Sequence, residues 1–472
     1  MDKILQTIKR FIPKKLFSAL RPWYHFLLGA IANVIYRWPS ERLIVIGVTG
    51  TTGKTTTTYV IAKMLEGAGY TVGYTSTAMF ADGKKEWLNN KKMTMVGRFF
   101  THKILRDMVN NGCQYAVIET SSEGIVQYRH RFINYDTVLF TCLYPEHIEA
   151  HGSFEKYREA KGALFAHLKN GKTKYANEAG IICRPKTGLQ KTELRRIKKK
   201  IVVNGQDEHA SYFLDFWAEE KYAYFLSEVG KARPIFASDV QEIVASASKT
   251  NGQTKLHFKN EEVAVNLLGA FNRQNILAAL SVGIAHDLPL VQLKKGIERI
   301  YGVAGRLERI DSGQPFTVVV DYAFEPKAVT NLYETIEALP HGKIIHVLGS
   351  AGGGRDKSRR PILGAIAGKR ADIAIVTDED PYDEDPATII EQVAAGAENA
   401  GKRLSIDLFT ILNRREAIRK AFSLAVSGDV VLITGKGSEQ AICRAGGNME
   451  KWDDRSVCRE ELAAMGYKTV DK

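Results

Sequence analysis

A chain of 472 residues is too long for one ordinary domain and predicts two or three. Its 44% hydrophobic and 25% charged residues are typical of a soluble globular protein, and its net charge of +13 suits an anionic substrate, nucleic acid or an anionic membrane surface. The cysteines are scattered, odd in number and without a CxxC pair, which argues against a disulfide framework and a zinc site and fits a reducing cytosol. They are Cys113, Cys142, Cys183, Cys443 and Cys458.

The first 42 residues differ from the rest of the chain. A helical projection of "MDKILQTIKRFIPKKLFSALRP", broken at Pro13, separates a basic face from an apolar face. The uncharged run 23–36 is shorter than the ~20 residues that span a bilayer, and it lacks a signal-peptide cleavage pattern. Three structures stay open: a helical pair packed on the next domain, a helix in the membrane interface, or a membrane span. The interfacial helix would give a peripheral membrane contact through residues 1–36.

From Leu43 the chain alternates apolar runs with helical patterns. The runs "LIVIGV", "YAVIET" (115–120) and "TVLFTCL" (137–143) predict buried parallel strands with amphipathic helices between them. Residues 200–265 carry shorter alternating runs with turn residues. This pattern predicts antiparallel strands inserted in or appended to the α/β core.

A second α/β pattern begins after about residue 304, where apolar runs from "FTVVVDY" to "DVVLITG" are each followed by a helical stretch. We therefore predict an α/β protein with a basic, apolar helical extension at 1–42. A P-loop doubly wound central domain follows at 43–303, and a Rossmann-like C-terminal α/β domain at 304–472.

The stretch "GVTGTTGKTTTT" (47–58) lies between a predicted strand and a predicted helix. Glycines there let the backbone approach a phosphate, and the helix N-terminus behind them favours the negative charge. Lys54 would reach the terminal phosphates and Thr55 would ligate magnesium. The general P-loop pattern wants a glycine at position 48, where this chain has Val48.

The narrower form G-x-T-G-T-x-G-K-T-T resembles the Mur ligase family, the ATP-dependent ligases of peptidoglycan precursor synthesis. Further resemblances follow in family order over roughly residues 43–460. They are "YAVIETSSEGIVQYRHR" (115–131), "FTCLYPEHIEAHGSFEKYREAKGALF" (140–165), "LGAFNRQNILAAL" (268–280), "GRLERID" (305–311), "VVVDYAFEP" (318–326), "GGGRDKSRRP" (352–361) and "GKGSEQ" (435–440). The first of these is most similar to the MurE-like members, which add the third residue of the stem peptide.

The resemblance implies a reaction in two steps. ATP phosphorylates a substrate carboxylate to an acyl phosphate, and an amino group then displaces phosphate to leave an amide. Lys54 and Thr55 would hold the β- and γ-phosphates and a first Mg²⁺, and Glu119 and His147 would bind a second Mg²⁺. Lys161 would carry a carbamate, which turns a cation into an oxygen ligand and requires a neutral amine.

The resemblance also implies the remaining contacts. The nucleotide would contact Gly50, Thr51, Thr52, Gly53, Lys54, Thr55, Thr56, Asn272, Asn275, Arg306 and Asp321. The muramyl peptide would contact Thr94, Ser121, Ser122, Gln127 and Arg129. The incoming amino acid would contact Arg355, Asp380, Tyr382, Gly435 and Glu439. Two departures affect fine positioning: Phe324 stands where the family commonly has histidine after D-Y-A, and Glu123 where MurE-like members have S-S-H.

The incoming amino acid stays open between diaminopimelate, lysine and another diamine. Diaminopimelate-adding members place the arginine of a D-N-P-R motif on the distal carboxylate, but Asp380 and Tyr382 replace the asparagine and the arginine here. Without that arginine a bidentate carboxylate clamp is lost, and the acids Asp380, Asp383 and Glu384 would prefer a distal amine.

MurE-like members also carry an N-terminal domain for the uridine nucleotide of their substrate. Forty-two mostly helical residues are too few to build that core, so we expect this domain to be lacking. The lysines of residues 1–42 would then bind the UDP diphosphate loosely, or the acceptor would use a different carrier, such as a lipid.

We therefore predict an ATP-dependent amide ligase that adds diaminopimelate or lysine to a muramyl-dipeptide cell-wall precursor in the cytoplasm, as a monomer. The alternatives are a ligase of the same scaffold acting on folate or amino-acid polymers, and a non-catalytic P-loop protein. Nucleic acid is not expected as a partner, because the basic run "RRIKKK" (195–200) has no interleaved aromatic residues. We interpret that run as a solvated helix end.

Overall fold

The computed structural model describes residues 14–146, 148–183, 194–227, 233–250, 253–258 and 261–467. For residues 14–22, 148 and 250 it describes the backbone alone. The predicted metal ligand His147 and residues 1–13 lie outside the described residues.

One large sheet organises the first two thirds of the chain, with strand order β14-β13-β12-β11-β10-β6-β1-β5-β2-β3-β4. Its strands are β1 (Ile44–Thr49), β2 (Val72–Thr75), β3 (Met79–Asp82), β4 (Glu86–Leu88), β5 (Tyr115–Glu119), β6 (Thr137–Phe140), β10 (Lys200–Asn204), β11 (Glu220–Ser227), β12 (Val240–Thr250), β13 (Gln253–Phe258) and β14 (Glu261–Val265). A small separate sheet holds β7 (Lys174–Ala176), β8 (Ile182–Cys183) and β9 (Arg195–Ile197). The helices of this region are α1 (Lys14–Ile35), α2 (Lys54–Gly67), α3 (Arg98–Asn110), α4 (Ser122–Val126), α5 (Ile148–His151), α6 (Phe154–Leu168), α7 (Ala210–Leu214), α8 (Phe271–Ala285) and α9 (Leu290–Ile297).

Strand β1 explains why the sheet is covered on both faces. Successive side chains of a strand point to opposite faces. Ile44 and Ile46 therefore join one apolar cluster with α2, α8 and α9, whereas Leu43 and Val45 join another with α3, α6 and α7. Parallel strands need this double cover, and β1 pairs in parallel with β5 and β6.

A second sheet organises the C-terminal region, with strand order β15-β16-β20-β17-β18-β19. Its strands are β15 (Glu308–Ile310), β16 (Thr317–Asp321), β17 (Ile344–Leu348), β18 (Ile373–Thr377), β19 (Leu408–Ile411) and β20 (Val430–Thr434), and a hairpin of β21 (Ala441–Cys443) and β22 (Met449–Lys451) follows. The helices are α10 (Pro326–Glu337), α11 (Arg359–Arg370), α12 (Pro386–Asn399), α13 (Arg414–Leu424) and α14 (Asp454–Ala464). Only β15 runs antiparallel to its neighbour in this sheet.

These two sheets confirm the predicted α/β fold with a helical extension before it, whereas the domain boundaries at 43, 304 and 472 stay predictions. The prediction of antiparallel strands across 200–265 is wrong for its first half. Strands β10, β11 and β12 pair in parallel and extend the central sheet, and only β12, β13 and β14 are antiparallel. The long apolar runs of β10 and β11 suit a strand buried on both faces better than an exposed hairpin.

The interpretation of residues 195–200 as a solvated helix end is also wrong. Residues 195–197 form β9 and Lys200 begins β10, while Lys199 between the two strands is only 3% exposed. The Lys199 ammonium donates to Asp136 Oδ1 at 2.9 Å and to the Asn134 amide oxygen at 2.6 Å. A buried carboxylate thus makes burial of the lysine possible, and the sequence of the basic run does not reveal that carboxylate.

The N-terminal helix α1 lies against α3 and continues to Ile35 without a break. Among the residues that the structure describes, no helix combines the length and the apolar character needed to cross a bilayer.

Candidate active site

A cavity of about 630 Å³ lies where the carboxyl ends of the two sheets face each other. Its walls come from the loops after β1, β5, β6 and β10 on one side and after β16, β17, β18 and β20 on the other. Ligands of open α/β sheets bind in this position. The predicted site residues that line it are Thr51, Thr52, Gly53, Lys54, Thr55, Thr56, Thr94, Glu119, Ser121, Ser122, Arg129, Lys161, Asn272, Asn275, Arg306, Asp321, Arg355, Asp380, Tyr382, Gly435 and Glu439.

The phosphate-binding loop runs from the end of β1 to the start of α2. Gly53 has a φ of 78°, and a Cβ there would lie 2.5 Å from the Asn275 amide oxygen, so only glycine fits. No side chain caps α2, whose first residues Lys54, Thr55 and Thr56 line the cavity, and the first N–H groups of a helix have no partner within the helix. The loop therefore meets the requirements for binding the phosphates of a nucleotide. Gly50 itself is not part of the cavity wall, but its carbonyl oxygen accepts a hydrogen bond from Lys161.

Glu119 at the end of β5 is fixed in place by several hydrogen bonds. It is 1% exposed, and its oxygens accept from the Thr55 hydroxyl at 3.0 and 3.1 Å and from the Thr77 N–H at 2.7 Å. No group of three or more His, Cys, Asp or Glu side chains suited to a metal was found among the described residues. Mg²⁺ is held by one or two protein oxygens together with waters and substrate phosphates, so the Thr55–Glu119 pair fits this ion.

Two lysines contact the backbone of the phosphate-binding loop, and one of them, Lys161, is fully buried. Lys54 donates across the loop to the Thr51 carbonyl oxygen at 2.6 Å. Lys161 on α6 is 1% exposed and donates to the Gly50 carbonyl oxygen at 2.7 Å, with its ammonium 4.5 Å from the centre of the Tyr157 ring. Burial, together with the positive charge of Lys54, holds the pKa of Lys161 well below its usual value.

The second sheet contributes directly to the side of the cavity that is predicted to bind the nucleotide, called the nucleotide side below. The Arg306 guanidinium donates to the Thr55 hydroxyl at 3.3 Å and lies over the Tyr322 ring at 4.3 Å. Asp321 accepts from the N–H groups of Leu307 and Ala323, and burial raises its pKa. On the opposite side, Asn275 donates to Asn272 at 2.8 Å.

Residues predicted to bind the muramyl peptide form one wall. The Ser121 hydroxyl caps α4, the Ser122 hydroxyl lies 3.0 Å from His151 Nε2, and Thr94 accepts from Thr77 at 2.9 Å. Arg129 donates to the Met95 carbonyl oxygen and, at 2.7 Å, to the Gln127 side chain. Gln127 is the exception, because it is half-buried and does not line the cavity.

The acidic residues on the amino-acid side are already paired. Lys92 binds Asp380 at 2.8 Å and Glu439 at 3.1 Å, and Lys436 binds the same two carboxylates at 2.8 and 2.6 Å. Glu384 is paired with Lys357 and Arg360. The expectation that Asp380 and Glu384 attract a distal amine is therefore not supported by their contacts. The sequence interpretation missed Lys92, which lies 288 residues before Asp380, although Lys436 stands within the "GKGSEQ" motif.

Glu379 differs from these paired acids. It is 4% exposed and lines the cavity, and among the described residues its Oε2 atom has no hydrogen-bond partner. Burial and the neighbouring Asp380 charge raise its pKa to about 7. Next to it, Tyr382 has a φ of 53° and lies on Gly353, where a Cβ would come within 2.6 Å of the ring. Sequence reasoning missed Glu379, although it stands at the first position of the altered D-N-P-R stretch, where the motif has aspartate.

Two further carboxylates were missed on the nucleotide side. Glu146 lines the cavity, and burial followed by the charge of Glu325 raises its pKa to about 7. Glu325 caps α10 and accepts from the Tyr144 hydroxyl at 2.8 Å. Both stand inside the quoted family-like stretches, so their position beside "HIEAH" and "VVVDYAF" is the signal that could have identified them.

Comparisons with known proteins agree with this geometry. Residues 48–183 match the model of the Mur ligase middle domain, and residues 305–437 match that of the Mur ligase glutamate ligase domain. The chain is 37% identical over 448 residues to a UDP-N-acetylmuramyl-tripeptide synthetase of Roseiflexus sp. (strain RS-1), covering 93% of this chain and 82% of the relative. It is 33% identical over 444 residues to a UDP-N-acetylmuramoyl-L-alanyl-D-glutamate--2,6-diaminopimelate ligase of Geobacillus kaustophilus (strain HTA426), covering 93% and 83%.

A solved structure of a UDP-N-acetylmuramoyl-L-alanyl-D-glutamate--2,6-diaminopimelate ligase is similar as well. It is 25% identical with a TM-score of 0.55, and the match covers 90% of this chain and 79% of that one. The chain therefore belongs to the Mur ligase family and is an ATP-dependent ligase that uses Mg²⁺ to form an amide bond between an acid and an amino acid.

Proposed function

We propose that this ligase adds a diamino acid, diaminopimelate or lysine, to a muramyl-dipeptide cell-wall precursor. The observation that carries the proposal is that one cavity is lined by the Thr55–Glu119 pair, by Arg306 and by the residues predicted to contact the incoming amino acid. The names of the relatives support a tripeptide product. We further propose that the enzyme works in the cytoplasm, where ATP is available, as a monomer whose cavity is built by one chain.

In the first half-reaction the γ-phosphoryl group moves from ATP to the acceptor carboxylate, and ADP leaves. Two anions must approach each other, so catalysis depends on cations and on positioning. Lys54 and the free N–H groups of α2 would hold the phosphates, and Arg306 would close on them from the second sheet. Mg²⁺ held at Thr55 and Glu119 would neutralise charge between the phosphate and the carboxylate.

In the second half-reaction the amine attacks the acyl phosphate, orthophosphate leaves and the new amide loses a proton. Glu146 lines the cavity together with the phosphate-binding loop, and burial followed by the charge of Glu325 raises its pKa to about 7, so this carboxyl group would accept that proton. We assign this role to Glu146 because Glu119 would be occupied in holding Mg²⁺ together with Thr55.

We propose that Lys161 is carbamylated and that two Mg²⁺ ions are bound. The amine combines with carbon dioxide and loses a proton, which requires a neutral lysine. Burial and the Lys54 charge favour the neutral form. The second ion would be held by Glu119 with His147 and the carbamate; His147 lies outside the described residues.

The amino-acid side supports recognition of a distal amine by Glu379. Lysine and diaminopimelate share this amine, and Glu379 is the cavity carboxylate with an unpaired oxygen among the described residues. Arg355 lines the same cavity and would bind the α-carboxylate. Tyr382 offers no positive charge for the second carboxylate of diaminopimelate.

Phosphate release from ATP and Mg²⁺ tests this proposal. UDP-muramyl-dipeptide is supplied as the acceptor, with diaminopimelate, lysine, norleucine or no amino acid in parallel. We expect release that depends on the acceptor and on one of the two diamino acids, whereas norleucine, which lacks the distal amine, should give little. Stimulation by glutamate on a folate acceptor instead would contradict the proposal and favour the folylpolyglutamate type.

A further inference from the structure

Helix α1 exposes an apolar stripe on one face. Trp23 is 73% exposed, Leu27 59% and Val34 55%, and the spacing of these residues places them along one side of a helix. Further exposed apolar residues extend the stripe at Phe26, Ile31, Ile35 and Trp38. The described part of the chain contains no other helix with so many large exposed apolar side chains in a row. Such a contiguous patch marks an interaction surface.

The opposite face of α1 is fixed to the body of the protein. Ala32 and Asn33 are buried, and a Cβ at Gly29 would lie 3.0 Å from the Phe132 ring, so the helix approaches closely there. The Arg106 guanidinium donates to the Tyr36 carbonyl oxygen at 2.9 Å and to the Arg37 carbonyl oxygen at 2.8 Å. The stripe therefore faces outward in a defined orientation.

Positive charge is concentrated in the sequence of the N-terminal 42 residues. Residues 1–42 contain eight Lys and Arg against two Asp and Glu, so they carry a net charge of +6 out of the chain total of +13. Helix α1 contains no acidic residue. Arg37 and Arg42 are exposed at its C-terminal end.

We propose that α1 binds the surface of an anionic lipid bilayer, lying parallel to it with the stripe in the acyl-chain boundary. An amphipathic helix with cations beside its apolar face binds membranes in this way. A second copy of the chain fits less well, because two such surfaces would bring like charges together. Binding along the surface also agrees with the absence of a helix able to cross the bilayer among the described residues.

The membrane-binding surface lies close to the wall predicted to hold the acceptor. Phe132 packs on Phe26 of α1 with ring centres 4.9 Å apart, and it stands three residues after Arg129, which lines the cavity. Arg98, at the start of α3, donates to the Gln127 carbonyl oxygen in the same loop. Docking would therefore hold the acceptor side of the cavity near the lipid surface.

Co-sedimentation of the full-length protein with vesicles tests the proposal. Phosphatidylcholine vesicles are compared with vesicles in which a third of the lipid is phosphatidylglycerol. We expect the partition coefficient for anionic vesicles to exceed that for neutral ones by about tenfold or more. The triple variant Trp23→Ser, Leu27→Gln, Val34→Ser should lower binding to anionic vesicles by about tenfold or more. A matched triple variant, Ile235→Ser, Tyr301→Ser, Val426→Ser, removes apolar groups elsewhere that are at least as exposed and should bind like the wild type.

Quenching of tryptophan fluorescence by lipids gives a second test of the proposal. Lipids brominated along their acyl chains should quench tryptophan fluorescence of the bound protein, and the variant Trp23→Phe, Trp38→Phe should lose most of that quenching. Equal binding by the stripe variant, or no preference for anionic lipid, would overturn the proposal. So would a mass that doubles with concentration in lipid-free solution and returns to one chain in the stripe variant, since a second copy would then cover α1.

Discussion

The nucleotide side and the amino-acid side of the cavity are built in different ways. On the nucleotide side, Thr51 to Thr56 form one uninterrupted loop between β1 and α2. On the amino-acid side, Lys92 from the first sheet region and Lys436 from the second bind the same carboxylates of Asp380 and Glu439. A contiguous loop can be recognised from sequence alone, whereas an ion-pair cluster assembled from distant segments becomes visible only in the fold.

Because of this difference, we expect substitutions on the nucleotide side to lower activity the most. We expect Lys54→Ala to lower kcat by about 10³-fold, because a cation on the terminal phosphates is lost in the transition state. Steady-state phosphate release measures this. Lys63→Ala on the same helix is the matched control, since Lys63 pairs only with Glu66 and Glu86 among the described acids and should leave kcat unchanged. A Lys54→Ala enzyme that retains a tenth of the wild-type activity would contradict this assignment.

Lys161 tests whether the nucleotide side depends on a modified residue. We expect the protein in ¹³C-labelled bicarbonate to show a carbamate NMR signal that is absent from Lys161→Ala, together with a kcat about 10²-fold lower in that variant. Because burial and the Lys54 charge lower the pKa of Lys161, the neutral amine that carbon dioxide requires is more available than in an exposed lysine, and the signal should weaken as the pH falls. An unchanged signal in Lys161→Ala would assign the carbamate to another lysine.

The parts predicted correctly from sequence are those whose pattern is local. Continuous apolar runs predicted β1, β5 and β6, whereas phosphate binding by the loop after β1 stays a prediction. The orientation of β10 and β11 and the burial of Lys199 could not be predicted, because both depend on partners far along the chain, β6 and Asp136. Glu379 was missed for the same reason: its burial and its unpaired oxygen arise from the packing of several loops.

Glu379 should make the KM for the diamino acid depend on pH. With a pKa of about 7, raised above the usual value by burial, this carboxyl group is ionised above pH 7 and becomes neutral as the pH falls below it. We therefore expect the KM for the diamino acid to rise as the pH drops from 8 to 6, and Glu379→Gln to raise KM about tenfold at pH 8 and to remove this dependence. The KM for ATP should not change in the variant. A parallel rise in both KM values would indicate a general loss of structure instead.

Substitutions of Tyr382 should have the smallest effect on activity, and they distinguish between diaminopimelate and lysine as substrates. We expect Tyr382→Arg to raise the ratio of kcat/KM for diaminopimelate to that for lysine by about three- to tenfold, because a guanidinium can bind the second carboxylate of diaminopimelate and lysine has none. The substitution does not add backbone strain, since arginine and tyrosine are both unbranched at Cβ and meet the same φ of 53°. Tyr382→Phe is the matched control, because it keeps the ring against Gly353 and removes only the hydroxyl group. If Tyr382→Phe shifts the ratio as much as Tyr382→Arg, the hydroxyl rather than the missing charge sets the preference, and the second carboxylate must be bound elsewhere in the cavity.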